Sequence, residues 1–218
     1  IFVKEEVLFK ALGEKTRLPD GQVEFPKKKE KISLDYLDAN PTGPAHIGHG
    51  RSGFLGDVLS NVLEKAGYKV SREFYVNNAK VNTQIRSLGK TTLGRGEEYK
   101  HAQLFSLLGK PEVKKKLESI NDESEAGFYI AGLIKKENEK FLKEKAGIRY
   151  DIFFEEEAVY SSGFVDKVLG ELKKSGAAYE KEGAIWLKSS EKDDSQDRVL
   201  VRSTGEPTYL LPDAAYHL

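Results

Sequence analysis

Two histidines stand three residues apart in the chain, at His46 and His49, with Ile47 and Gly48 between them. An imidazole nitrogen can donate a hydrogen bond to a phosphate oxygen, and a glycine lets a flat base or a ribose approach the backbone closely. The spacing therefore favours a site for a phosphorylated ligand, with His46, Gly48 and His49 as its candidate residues. The alternative to a ligand site is a chance match, in which one histidine only caps a helix.

The surrounding residues predict a strand, a sharp turn and a helix. A short apolar run at 31–37 predicts a buried strand, and two prolines and a glycine at 40–44 predict the turn. Such an arrangement points a helix N-terminus out of the carboxyl end of a strand, where unpaired N–H groups and the helix dipole favour an anion. The predicted apolar face of the helix, closed by Gly67, consists of Phe54, Leu55, Val58, Leu59, Val62, Leu63 and Ala66.

A second strand is predicted directly after this helix, at 68–76, from the alternation of apolar and polar residues. A strand–helix–strand unit favours parallel strands with a right-handed crossover. We therefore expect the loop that carries His46 and His49 to lie at the carboxyl edge of a parallel sheet, where open α/β sheets bind ligands.

The stretch Ala39–Arg51, which reads ANPTGPAHIGHGR, resembles the first signature region of the class I aminoacyl-tRNA synthetases and is similar to arginyl-tRNA synthetases in particular. The resemblance implies an α/β fold: a Rossmann-like parallel sheet with a mainly helical insertion. It also implies that His46, Gly48 and His49 cradle ATP, and that arginine is activated to arginyl-adenylate and transferred to tRNA(Arg). Mg²⁺ is expected with the ATP, and we expect a cytoplasmic monomer.

The end of the chain, from Asp197 to His217, closely resembles the stretch that lines the arginine pocket in this family. A guanidinium is planar and always charged, so a selective pocket needs acceptors in its plane and at least one carboxylate. The resemblance places these groups at Tyr209 and Asp213. It also assigns contacts to the amino and carboxylate end of arginine, or to the pocket wall, to Asn40 and Asp35, although Asp35 stands where the family usually has glutamate. Without the resemblance, Asp213 would only complement a helix dipole and Tyr209 would be a core aromatic.

Four segments are expected along the chain: an N-terminal helix and connector at 1–30, the first half of the catalytic domain at 31–80, a helical insertion at 81–147, and the second part of the catalytic domain at 148–218. The insertion is predicted to hold helices at 99–108, 113–120 and 123–146, after a mobile loop at 90–96. The segment Gly89-Lys-Thr-Thr92, which overlaps the start of this loop, lacks the earlier glycine of a Walker phosphate loop.

The last segment is expected to begin with a strand at 151–157, whose acidic triplet at 155–157 is disfavoured as a metal site because strand residues alternate faces. A helix capped by Ser161 or Ser162 and closed by Gly176 should follow. After it we expect a hairpin at 179–189 with Trp186 in the core, two strands joined at Thr204-Gly205, and a helix beginning at Pro212.

Composition limits the remaining possibilities. Lys plus Arg equals Asp plus Glu at 35 each, so any contact with RNA must come from a local patch. The chain contains no cysteine, which excludes disulfides and thiolate zinc sites, and we expect no zinc. The sequence shows neither an apolar run of membrane-spanning length nor a signal-peptide pattern, so we expect a soluble intracellular protein without membrane contact.

Two other kinds of function stay open at this point. One is a different class I synthetase, or a nucleotidyltransferase that shares the histidine loop. The other is a non-catalytic binding module, a truncated paralogue that keeps the ATP pocket. The family's second, lysine-rich signature and its anticodon-binding domain do not occur in these 218 residues, so we expect the chain by itself to be inactive.

Overall fold

The predicted strand–helix–strand unit is present in the structure, a computed structural model that describes residues 25–192 and 194–217. Strands β1 (Lys31–Asp35) and β2 (Lys69–Val76) pair in parallel. Helix α1 (Ile47–Lys65) connects them, and strand β3 (Ile152–Glu155) completes a sheet in the order β1-β2-β3. The α/β class is thus confirmed. The short helix that we expect in the first thirty residues falls mainly on residues 1–24, outside the described part.

The chain between β2 and β3 is helical, as predicted. The prediction of a mobile loop at 90–96 is wrong for its first half, because Lys90 to Thr92 form the last turn of a helix. The chain turns only at Gly94, where φ is +73°. The elements here are α2 (Thr83–Thr92), α3 (Ala102–Gly109), α4 (Pro111–Leu117), α5 (Glu123–Phe141) and a π-helical turn (Leu142–Ala146).

After β3 the chain forms two helices, an antiparallel sheet in the order β4-β5-β6, and a last helix. The hairpin between β4 and β5 is confirmed, with Glu182 and Gly183 both at positive φ, the combination that type I′ turns require. Bounds are α6 (Glu156–Ser161), α7 (Phe164–Lys174), β4 (Ala178–Lys181), β5 (Ala184–Leu187), a 3₁₀ turn (Ser189–Lys192), β6 (Arg198–Val201) and α8 (Leu210–Tyr216).

Several predictions for this last part are wrong in detail. Gly163, at φ +72°, is the N-cap of α7, whereas Ser161 ends α6 and so cannot cap the next helix. The expected strand after the turn at Thr204-Gly205 is reduced to a single bridge between Val201 and Pro207. Helix α8 begins at Leu210, two residues before the expected Pro212. Trp186 lies on β5 but is only half-buried.

The chain divides into two compact units that exchange segments along the sequence. Of the described residues, unit 1 holds 25–38, 45–74 and 140–153, and unit 2 holds 39–44, 75–139 and 154–217. Unit 1 contains α1, β1 and most of β2, and unit 2 contains helices α2 to α4, most of α5, and α6 to α8 with the antiparallel sheet. Among the described residues no helix combines the length and apolar composition needed to cross a bilayer.

Helix α1 buries its small residues and exposes its large apolar ones, the reverse of the predicted face. Gly53, Gly56 and Ser60 are buried, and the Tyr36 ring packs so closely on Gly56 that a Cβ there would lie 2.2 Å from its Cγ atom. The backbone of α1 can approach Tyr36 this closely only because the position lacks a side chain. The exposed large apolar residues of this helix are Ile47, Phe54, Leu55, Val58, Leu59 and Val62.

An ion pair joins α1 to β2 inside unit 1. Arg72, whose side chain is 4% exposed, donates from both terminal nitrogens to the two carboxylate oxygens of Glu64 at 2.7 Å. This bidentate geometry fixes the register of the helix against the strand, and it holds the pKa of Glu64 below its usual value.

The predicted buried strand β1 is less buried than expected, since its residues alternate between exposed and half-buried.

Two apolar clusters form the core of unit 2. One lies among helices α2 to α5 and includes Ile85, Leu88, Leu104 and Ile134. The other lies between α6, α7, α8 and the antiparallel sheet, and it includes Leu200. The second cluster is what holds the start of α8, and with it Tyr209 and Asp213, in place.

Candidate active site

The two histidines of the motif cap helix α1 and stack on each other. His46 is the N-cap residue, and its Nδ1 accepts a hydrogen bond from the Gly48 N–H at 3.2 Å. The His46 N–H in turn donates to Nδ1 of His49 at 3.2 Å. The ring centroids lie 3.7 Å apart. The structure therefore shows the helix cap that the sequence offered as the alternative to ligand binding. Capping uses Nδ1 of each ring and leaves the other ring nitrogen for a ligand.

These bonds fix the tautomers of both rings. A nitrogen that accepts a backbone N–H carries no proton, so in each neutral ring the proton is on Nε2, an assignment made from the hydrogen-bond network. Burial, and then the neighbouring His46, lower the pKa of His49, which keeps that ring neutral at pH 7. Each ring thus retains one N–H donor, on Nε2, beyond the capping bonds.

The expected anion site made of unpaired backbone N–H groups is wrong for most of the first turn of α1. The N–H of Gly48 donates to the His46 ring, and those of His49 and Gly50 donate to the His46 carbonyl oxygen at 2.9 and 3.1 Å. The imidazole rings, and not these three backbone groups, are therefore the donors that the motif offers to a phosphate.

Tyr209 and Asp213 lie one turn apart at the start of α8, in unit 2. The Asp213 N–H donates to the Tyr209 carbonyl oxygen at 3.1 Å, which puts the two side chains on the same side of the helix. Tyr209 is 79% exposed, so the interpretation of this residue as a core aromatic is wrong. Partial burial raises the pKa of Asp213, while the charge of His217 lowers it.

A cavity of about 800 Å³ opens beside Tyr209 within unit 2. Glu156 lines it and is only 8% exposed. Burial raises the pKa of Glu156, and the negative charge of Asp213 raises it further, so the two carboxylates interact electrostatically. Tyr160 also lines the cavity, and burial raises its pKa to about 12, which keeps its hydroxyl protonated and able to donate. The wall thus offers the Glu156 carboxylate and two phenol groups to a planar cation. It also carries three further carboxylates, those of Asp122, Glu123 and Glu206, and the basic side chains of Lys80, Arg86, Arg95 and Arg202.

Sequence reasoning missed Glu156. It treated 155–157 as one strand, whereas β3 ends at Glu155 and Glu156 is the first residue of α6. The signal that could have found it is position: Glu156 directly follows a short apolar strand, the place from which α/β sheets present ligand-binding side chains. The flanking carboxylates bind other groups, since Glu155 pairs with Lys135 at 2.6 Å and Glu157 accepts the Lys80 N–H at 2.9 Å.

The two remaining candidates lie in different units. Asn40, in unit 2, donates from Nδ2 to Oε1 of Gln84 at 2.9 Å. Asp35 is the last residue of β1, in unit 1, and is exposed. The structure thus brings together His46 with His49 in unit 1, and Tyr209 with Asp213 in unit 2, where Glu156 joins Asp213 electrostatically.

Known proteins resemble both the sequence and the fold. A family model described as "tRNA synthetases class I (R), catalytic domain" matches residues 10–84. An arginine–tRNA ligase from Caldanaerobacter subterraneus is 40% identical over 218 aligned residues, which cover 90% of the chain. Another from Desulfotalea psychrophila is 35% identical over 209, which cover 86%. The chain belongs to the arginyl-tRNA synthetase family. The predicted resemblance is thereby confirmed.

Solved structures agree with this assignment to the arginyl-tRNA synthetases. A candidate arginyl-tRNA synthetase from Campylobacter jejuni superposes with a TM-score of 0.73 at 32% identity, covering 89% of the chain and 45% of that protein. The Thermus thermophilus arginyl-tRNA synthetase, at 22% identity and a TM-score of 0.59, supports the fold alone. The predicted Rossmann-like class I fold is confirmed. The chain spans 37% and 36% of the length of the two relatives named above.

Proposed function

We propose that this chain forms part of an arginine–tRNA ligase, in which it binds ATP and arginine. In the first step a carboxylate oxygen of arginine attacks the α-phosphorus of ATP, and the bond from that phosphorus to the pyrophosphate oxygen breaks. In the second, a hydroxyl of the terminal ribose of tRNA(Arg) attacks the arginyl carbonyl carbon, and AMP leaves. The whole reaction needs positioning and charge stabilisation more than covalent catalysis by the protein.

The observation that carries the proposal is the stacked pair of His46 and His49. Their Nδ1 atoms accept backbone hydrogen bonds, so both rings are held before any ligand arrives. Their Nε2–H groups are then fixed donors for the α-phosphate, where negative charge develops in the transition state. Donors held in this way cost little reorganisation during the reaction. Gly48, between them, leaves room for the nucleotide.

The arginine end would be recognised in unit 2. Asp213 and Glu156 supply two carboxylates, and the Tyr209 hydroxyl supplies an acceptor for the remaining guanidinium donors. Asn40 and Asp35 would contact the amino and carboxylate end of the substrate or the pocket wall. Burial raises the pKa values of both Asp213 and Glu156, and a bound cation would favour the ionised form of each carboxylate.

Mg²⁺ is proposed as the counter-ion of the ATP phosphates and thus as part of the substrate. In the described ranges no three side chains of His, Asp or Glu converge in a way that could hold a metal ion. A monomeric enzyme acting in the cytoplasm fits this proposal.

The ATP site is tested by His46→Asn in the complete protein. Asparagine is a good N-cap, so the helix should keep its stability while the Nε2–H donor is lost. We expect arginine-dependent ATP–pyrophosphate exchange, assayed with tRNA present, to slow by roughly a hundredfold. Normal exchange in both His46→Asn and His49→Ala would remove the motif from the mechanism. ATP binding without any arginine-dependent exchange in the wild type would favour a binding module instead.

The arginine site is tested by Asp213→Asn in the same assay. Removing the carboxylate should raise the arginine KM by at least about a hundredfold, while thermal stability and ATP affinity stay nearly unchanged. The matched control is Asp166→Asn, which removes another exposed first-turn aspartate of a helix in the same unit. Equal arginine kinetics in the two variants, with equal small losses of stability, would show that Asp213 only complements the helix dipole.

A further inference from the structure

The segment Ala39–Pro44, which we call the Asn40 loop, clusters with the helices of unit 2 although it follows β1 in sequence. Ala39 and Thr42 in this loop are buried, at 5% and 8% exposure. A loop without regular backbone pairing is mobile unless its carbonyl and N–H groups find partners elsewhere. Its partners therefore decide whether Asn40 has a fixed position.

His101 holds the loop by one ring nitrogen and its own helix by the other. Its Nδ1 accepts the Leu104 N–H at 3.2 Å and so caps α3. The ring proton is consequently on Nε2, which donates to the Thr42 carbonyl oxygen at 2.9 Å. The His101 ring also lies against Gly43, where a Cβ would be in ordinary van der Waals contact with Nε2 at 3.4 Å.

Asn138 holds the next carbonyl group. Its Nδ2 donates to the Gly43 oxygen at 2.9 Å from the last turn of α5, and the residue is only 8% exposed. Two consecutive peptide carbonyls of the loop, those of Thr42 and Gly43, are therefore bound by two different helices. Such a pair of bonds fixes both the position and the orientation of the peptide between them.

Gln84 then orients the Asn40 side chain itself. Its Oε1 accepts from Asn40 Nδ2 at 2.9 Å, and its backbone N–H donates to the N-cap residue Asn82 at 2.9 Å. Because Nδ2 of Asn40 donates to Gln84, Oδ1 is the atom that can accept a hydrogen bond from a ligand. An acceptor in this position suits the ammonium group of an amino acid.

We propose that His101 and Asn138 are positioning residues for the amino-acid site: they fix the backbone of the Asn40 loop so that Asn40 presents Oδ1 to the substrate ammonium. The role in arginine binding rests on the function proposed above. The holding of the loop does not, and it can be measured without substrate.

Two substitutions at position 101 separate the two bonds of the ring. His101→Asn places its side-chain oxygen where Nδ1 was and keeps the cap of α3, but it is too short to reach Thr42. His101→Gln can reach Thr42 with its amide nitrogen but loses the capping acceptor. We expect His101→Asn to raise the arginine KM by about three- to tenfold, the effect of one net hydrogen bond, with the ATP KM and the melting temperature nearly unchanged.

The opposite pattern is expected for His101→Gln: an unchanged arginine KM and a melting temperature lower by about 2 to 4 °C. Asn138→Ala should raise the arginine KM like His101→Asn. Gln103→Ala is the control, because Gln103 joins α3 to α5 through Glu137 at 3.0 Å but donates no bond to the loop. It should leave the arginine KM unchanged.

Hydrogen exchange of the peptide that covers the Asn40 loop is measured on the same variants without substrate. We expect faster exchange in His101→Asn and Asn138→Ala than in the wild type, His101→Gln and Gln103→Ala. Unchanged exchange in His101→Asn, or an arginine KM that follows the melting temperature across all four variants, would overturn the proposal. A wild type without arginine-dependent exchange of pyrophosphate would defeat the proposed function alone, and the loop measurement would still decide the holding role.

Discussion

Glu156 ionises in surroundings that oppose its charge. Burial raises its pKa, the Ala79 N–H and Asn82 lower it by hydrogen bonding, and the charge of Asp213 raises it. The folded protein therefore holds the Glu156 proton more tightly than the unfolded chain does. By linkage, this residue makes the free energy of unfolding fall as pH rises from about 4.3, the ordinary value, through the raised one.

Glu156→Gln should consequently separate stability from function. Glutamine keeps an oxygen for the Ala79 N–H, so we expect the free energy of unfolding at pH 7 to equal or exceed that of the wild type. The fall with rising pH that is due to this residue should disappear from urea titrations. The arginine KM should rise at least about tenfold, because a bond to a charged group is lost.

Glu157→Gln is the control for this substitution, since Glu157 accepts a backbone N–H of Lys80 and its arginine kinetics should stay unchanged. A Glu156→Gln protein that is less stable at pH 7 yet has the wild-type arginine KM would give Glu156 a purely structural role.

The sequence alone predicted the candidate site residues unevenly at this scale. His46 and His49 were found because prolines, a glycine and an apolar helix surround them, all of them local signals. Tyr209 and Asp213 needed the family resemblance, since neither residue type is unusual at a helix start. Glu156 was missed because it stands between two other glutamates, and the sequence does not show which of the three begins the helix. A shift of the helix start by one residue would change which carboxylate lines the cavity.

Helices α2 and α5 cross at two glycines. A Cβ on Gly89 would lie 1.7 Å from the Glu123 carbonyl oxygen, and one on Gly127 would lie 1.8 Å from that of Ile85. These neighbours are backbone atoms, which cannot rotate away as a side chain can. The crossing therefore brings the two backbones as close as two helices can pack.

Alanine at either glycine of this crossing should force the helices apart and cost about 3 kcal/mol or more of unfolding free energy. Gly132→Ala is the matched control on α5, because a Cβ there meets nothing within 4 Å. It should stabilise the protein by roughly 0.5 to 1 kcal/mol through helix propensity alone. Urea denaturation of the three variants measures both effects, and equal stabilities would show that the crossing is looser than described.

Glycines at close contacts explain two errors of prediction. Gly89 and the threonines after it are typical of a loop by composition, but Gly89 serves a close helix crossing inside α2. In α1 the large apolar residues were assigned to the buried face, yet close approach to Tyr36 selects Gly56 for that face. Periodicity shows that a helix has two faces, and it cannot tell that a small residue is required by a neighbour distant in sequence.

Buried side chains are distributed unevenly over the whole molecule. Of the large side chains that are fully buried in the described residues, Ile148 belongs to unit 1, whereas the others, such as Leu104, Ile134 and Leu200, belong to unit 2. Regions with few buried apolar contacts open at lower free energy than well-packed ones. Unit 1, which contains the histidine motif, has fewer fully buried large side chains and is therefore expected to open at a lower free energy than unit 2.

Because of the position of Trp186, tryptophan fluorescence can distinguish the unfolding of unit 2 from that of unit 1. It is the single tryptophan of the chain and lies on β5, in unit 2, paired with Tyr179 and Val199 on the adjacent strands. Its fluorescence therefore reports on the antiparallel sheet, whereas far-ultraviolet circular dichroism also records α1. We expect a urea titration to lose part of the dichroism before the emission of Trp186 shifts. Coincident curves would mean that the two units unfold in one cooperative transition. Either signal alone would then measure the free energy of unfolding of the entire chain.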